Sequence, residues 1–118
     1  MLLADTSVWI DFLRQGNGLL HDLLEQGEIS THSLIIGELH VGNIPNRDGF
    51  LSLMCELPRV KEASYDEVIH MVNTHRLYSK GVGFFDMHIL ASSIISKTPL
   101  WTLDKRLDTL SKEFSIKH

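Results

Sequence analysis

Residues 2–15 read LLADTSVWIDFLRQ, and their order sets the architecture. LLA is a short apolar strand, Asp5 closes it, and TSVWIDFLRQ is a helix that stops before Gly16-Asn17-Gly18. The same order returns near the other end. Pro99-Leu100-Trp101-Thr102-Leu103 is a strand, Asp104 closes it, and KRLDTLSKEF is a helix.

Working outward, a second helix spans about Asn17 to Gln26 and ends at Gly27, and EIST (28–31) is a short strand. LIIGELHVG (34–42) is helical, and the Asn43–Asp48 stretch with Pro45 breaks it before the helix GFLSLMCEL (49–57), which Pro58 stops. RVKEA (59–63) is a candidate strand. Ser64-Tyr65-Asp66-Glu67 forms a capping box whose helix runs to about Ser79. Lys80-Gly81-Val82-Gly83 is the loop into the helix FFDMHILASSIIS (84–96), and SIK (115–117) is a candidate edge strand. Strands alternating with helices predict an α/β fold, a small central parallel sheet with helices on both faces.

The 118 residues are expected to form one domain, 1–118, with an ordinary core. An apolar content of 43% and a charged content of 22% fit a soluble globular chain. No apolar run reaches the length of a membrane span, and MLLADTSVW lacks the basic and long apolar regions of a signal peptide. One cysteine, Cys55, forms no internal disulfide, which suits the cytoplasm. A net charge of −4 argues against a protein devoted to non-specific grip on nucleic acid. It leaves room for a nuclease, whose metal-binding site is itself acidic before it is loaded.

Four carboxylates stand out. Asp5 and Asp104 each end a strand, and in parallel sheets ligands bind beyond the carboxyl ends of strands. A lone acid there is equally well a helix cap. Asp86 shares a helical stripe with Ile89, Leu90, Ser93 and Ile94, and Glu38 shares one with Leu34, Ile35 and Val41. No lysine or arginine lies within a helical turn of either, so a partner would have to come from elsewhere in the fold. If all four meet, their mutual repulsion calls for a hard divalent cation. Such an acidic centre suits in-line displacement at a phosphodiester, with water activated on one side and the leaving oxygen stabilised on the other.

These segments also resemble a known family. LLADTSVWIDFLR, IIGELHVG, GVGFFDMHILASS and LWTLDKRL resemble the four acidic motifs of PIN-domain ribonucleases, and more narrowly the VapC toxins of VapBC toxin–antitoxin pairs. The likeness runs from Leu2 to about Leu110. It implies a PIN-like fold and a Mg²⁺-dependent endoribonuclease, with Mn²⁺ as a substitute. It further implies a VapB-type antitoxin, a homodimer, and structured RNA such as tRNA or rRNA as substrate. Carried over by position, Asp5, Glu38, Asp86 and Asp104 correspond to the acidic metal site, with Asp5 and Asp86 its main ligands. Thr6, Ser7 and Thr102 fall where the family places hydroxyls that hydrogen-bond the acids. Leu103 departs from the pattern, since many relatives carry an arginine before the last acid.

Arg14, Lys80, Lys105 and Arg106 are candidate phosphate contacts around the mouth. Asp11 and Asp108 read as solvated helix residues, and Trp9 and Phe12 as packing residues. His40 and His88 each follow an acid by two positions, about 200° around the helix, and are expected at the surface. His70 and His75 are spaced poorly for a metal, and Cys55, inside an apolar helix, is no nucleophile. A haloacid-dehalogenase-type phosphatase needs a second aspartate where Ser7 stands. A receiver-like domain needs a lysine at a late strand end, where Lys105 instead follows Asp104. A non-toxin PIN nuclease in RNA processing and a catalytically silent PIN-like module are the remaining alternatives; silent modules usually lose site acids, and all four are present.

Overall fold

The structure, a computed structural model, describes residues 1–114. Three short parallel strands lie in the order β2–β1–β3, with β1 at Leu2–Ala4, β2 at Ile29–Ser30 and β3 at Leu100–Trp101. Leu3 and Ala4 of the central strand are wholly buried, which is why LLA shows no polar alternation. The register pairs Leu2 with Ile29 and Leu3 with Ser30 on one side, and Leu3 with Leu100 and Ala4 with Trp101 on the other. One further bond, from the Asp5 N–H to the Trp101 carbonyl at 2.9 Å, brings the ends of β1 and β3 level.

Parallel neighbours need crossovers, and helices supply them. α1 (Thr6–Gln15) and α2 (Gly18–Glu25) lead from β1 to β2. α3 (Ser33–Val41), α4 (Arg47–Glu56), α5 (Tyr65–Thr74) and α6 (Phe84–Ser96) lead to β3, and α7 (Lys105–Glu113) follows it. Helices flank both faces of the sheet. Trp9, Ile35, Leu39 and Met54, from α1, α3 and α4, pack with Leu3 and Ala4. Val68, Met71, Leu90 and Leu107, from α5, α6 and α7, form a second cluster. Leu100 of β3 touches both.

Two expectations change. RVKEA makes a single parallel bridge, Arg59 to Thr31, instead of a strand. Beyond it the polar groups are claimed by side chains: Ala63 N–H donates to Ser92 Oγ at 2.9 Å, and the Glu62 carboxylate binds Ser33. α5 ends at Thr74 instead of Ser79. There Arg76 takes a left-handed conformation (φ 55°) and Leu77 N–H bonds the Val72 carbonyl at 2.9 Å, which is a Schellman stop made without glycine. The candidate strand SIK lies outside the described residues.

Candidate metal centre

Asp5 leaves the end of β1 with extended backbone (φ −70°, ψ 162°) and precedes α1, yet its carboxylate makes no cap bond. It is 4% exposed. Thr102 Oγ1 donates to Oδ2 at 2.8 Å, and Ser7 Oγ donates to the same oxygen at 3.1 Å. The two hydroxyls also lie 3.2 Å apart, and Ser7 Oγ accepts the Leu103 N–H at 3.0 Å. Oδ1 is buried with no hydrogen-bond partner. A buried carboxylate oxygen without a donor is costly, and a cation would satisfy it.

Asp104 behaves differently. It is exposed, and its Oδ1 caps α7 by accepting Arg106 N–H at 2.9 Å and Leu107 N–H at 3.0 Å. Its own N–H donates to Thr102 Oγ1 at 3.1 Å, so one threonine ties the two strand-end acids together. The helix-cap reading therefore describes Asp104 and not Asp5.

Asp86 sits half-buried in the first turn of α6. Burial, followed by the negative charges of Asp5, Asp104 and Glu38, pushes its carboxyl up to about 6. The fold thus brings all four acids into one electrostatic field, and the acid carried by α6 bears the strain.

Glu38 does not ride a buried stripe. It is exposed, as are Leu34 and Val41 on the same face, while Ile35, Ile36 and Leu39 pack inward. α3 is apolar at most positions, so its periodicity did not select a face; packing against α1 and α4 did. Among the described residues no three His, Cys, Asp or Glu side chains are gathered closely enough to enclose a metal ion. The donor set still fits a hard cation: every donor is a carboxylate oxygen, one is orphaned, and Mg²⁺ retains several waters as ligands.

The family model for the PIN domain matches residues 2–113. This chain is a PIN domain. It is 38% identical over 117 residues to proteins named Ribonuclease VapC32 from Mycobacterium tuberculosis strains CDC 1551 and H37Rv, covering 98% of this chain and 94% of each relative. The PIN domain accordingly belongs with VapC-type members of the family.

The other anticipated residues of this PIN domain divide. Thr6, expected to hydrogen-bond the acids, has a buried hydroxyl without any partner. Arg14 stands in the last turn of α1, about 13 Å along the helix from Asp5. Lys80, Lys105 and Arg106 do gather, around a concavity of about 370 Å³ beside the α7 start. Arg106 lies over Gly81 (φ 74°), where a Cβ would meet its guanidinium. His40 is exposed as expected. His88 is not a surface residue: it is half-buried, its ring meets Phe84 edge-on at 4.9 Å, and its Nδ1 is enclosed without a partner. Cys55 is exposed and unpaired. Asp11 bonds Gln15 and Asn17, and Asp108 pairs with Lys112 at 3.0 Å.

The sequence reading missed His32 and Ser92. His32 is 2% exposed and Ser92 is fully buried. The available signals were a polar Thr-His-Ser trio before an apolar helix and a small hydroxyl on the stripe after Asp86. Neither reveals that the two residues touch.

Proposed function

We propose that this PIN domain is a Mg²⁺-dependent endoribonuclease, with Mn²⁺ as a substitute, acting in the cytoplasm as the toxin of a VapBC-type pair. The observation that carries the reading is the orphaned, buried Oδ1 of Asp5 in the same field as Asp86, whose proton affinity burial and then three other acids raise. The relatives' name, Ribonuclease VapC32, supports the same reaction class. Asp5 and Asp86 would hold the ion, and Glu38 and Asp104 would complete the site directly or through water. A bound divalent cation supplies Lewis acidity and makes water a nucleophile near neutral pH.

The remaining work falls to side chains of this chain. Thr102 and Ser7 hold Asp5 in one orientation by donating to Oδ2. Oδ1 is thereby left for the ion. Asp104 retains Oδ2 for the site while Oδ1 caps α7. Lys80, Lys105 and Arg106 would take backbone phosphates of the RNA next to Asp104. The proposed partners are a VapB-type antitoxin, a second copy of the chain, and structured RNA such as tRNA or rRNA. Among the described residues no helix is long and apolar enough to cross a membrane.

The test is cleavage of a panel of cellular RNAs with Mg²⁺ or Mn²⁺ by wild type, Asp5→Asn and Asp86→Asn. Wild type is expected to cut, EDTA to stop it, and both folded variants to be inactive. Equal cutting by the folded variants would sink the metal-site assignment.

A further inference from the structure

The acids of the centre arrive on helices anchored in different places. α3, which carries Glu38, buries Ile35, Ile36 and Leu39 in the first apolar cluster. α6, which carries Asp86, contributes Met87, Leu90 and Ala91 to the second, and reaches the first through Ile89 and the half-buried Phe85. Apolar packing is non-directional, whereas a hydrogen bond constrains both distance and angle. A directional contact therefore sets the relative position of two such helices more sharply than packing alone.

That contact is present and fully satisfied. Ser92 Oγ donates to the His88 carbonyl at 2.8 Å, so its lone pairs accept Ala63 N–H at 2.9 Å and His32 Nε2–H at 3.0 Å. His32 Nδ1 accepts the Leu34 N–H at 3.0 Å and so caps α3. These four bonds require a neutral ring with its proton on Nε2, and burial favours that form. His32 precedes Glu38 by six positions and Ser92 follows Asp86 by six, so each member of the pair stands about 9 Å along the helix from its acid.

We infer that His32 and Ser92 are positioning residues that set the spacing between Glu38 on α3 and Asp86 on α6. The inference rests on the proposed metal site and adds to it the element that holds the site's geometry. Displacing one ligand by about 1 Å costs up to about a hundredfold in rate. The pair touches neither substrate nor ion, so its loss alters turnover and ion affinity and spares RNA binding.

The test separates capping from positioning. In His32→Asn the shorter side chain still caps α3 but does not reach Ser92; Ser92→Ala removes the bond from the other end. Each variant and the double variant are melted, titrated with Mn²⁺ alone by electron paramagnetic resonance, and assayed for kcat and KM on RNA. The expected result is folded single variants that bind Mn²⁺ about tenfold more weakly. Their kcat falls by about tenfold or more at unchanged KM, and the double variant is no worse than either single one. Wild-type Mn²⁺ affinity and kcat in the folded variants, or losses that multiply, would overturn the inference. So would melting of both single variants below the assay temperature, since the bond would then hold the fold and not the spacing. Wild type that binds Mn²⁺, with these variants weakened, but cuts no RNA refutes the nuclease reading and leaves the inference standing. Wild type that cuts RNA while the variants match it refutes the inference alone, and wild type that binds no Mn²⁺ refutes both.

Discussion

Thr102 Oγ1 donates a 2.8 Å hydrogen bond to Asp5 Oδ2, joining two residues 97 positions apart. Thr102 Oγ1 in turn accepts the Asp104 N–H, so the hydroxyl both donates and accepts. Thr102→Val keeps the shape and removes both bonds. A hydrogen bond to a charged group contributes about 1.5–3 kcal/mol. Denaturant unfolding is expected to show a loss in that range, and Mn²⁺ titration a weaker affinity; an unchanged midpoint and affinity would refute the role.

Asp86 supplies a prediction of opposite sign. Its carboxyl titrates at about 6 in the fold, against an ordinary 3.8. Between those values the folded protein holds a proton that the unfolded chain has released. Metal-free stability therefore falls as pH rises through this window and stays low above it. Asp86→Asn is expected to stabilise the EDTA-treated protein at pH 7.5 by about 1 kcal/mol, allowing for solvent screening of a half-exposed group. The gain should vanish below pH 4, and thermal melts at the two pH values check it.

His32 works in the other direction. Burial lowers its pKa from 6.5, with the nearby Glu62 charge partly opposing and His88 and Arg59 adding to the effect. As pH falls through about 6.5 the unfolded chain takes up a proton that the buried ring refuses. The stability from this group is full above that pH and is lost below it. Subtracting the His32→Asn stability profile from that of wild type isolates the slope; a flat difference between pH 7.5 and 5 would contradict it.

Asp104 combines a cap with a proposed ligand, and two substitutions separate them. Asp104→Ala loses the α7 cap and is expected to cost about 1 kcal/mol. Asp104→Asn keeps the cap, so its melting temperature should match wild type while RNA cleavage falls. Full activity in Asp104→Asn would remove Asp104 from the metal site.

The basic concavity predicts a salt effect. Replacing both Lys80 and Lys105 with Gln removes two of its three cations. RNA affinity should drop, and the slope of log affinity against log salt should shrink by about 0.7 for each phosphate of single-stranded RNA that is no longer neutralised. An unchanged slope would place the RNA elsewhere.

Much of this was legible along the chain. LLA, the α1 helix, the Ser64 capping box and the limits of α6 follow from local apolar spacing and caps, which depend on neighbours in sequence. The end of α5 was not, because Arg76 occupies a left-handed position that glycine usually marks. Nor was the outward face of Glu38, since α3 offers apolar residues in nearly every direction. Arg14 does not line the concavity of the other three cations, because nine positions of helix separate it from Asp5.

The sequence by itself determined the strand–acid–helix order at both ends and the four acids, because backbone periodicity and residue chemistry are local properties. The tertiary structure alone decided that Thr102 serves Asp5, that Asp104 caps while Asp5 does not, and that His32 meets Ser92. Those pairings depend on parallel register and helix docking between segments far apart in the chain, and hydrogen bonds require positions fixed to a few tenths of an ångström.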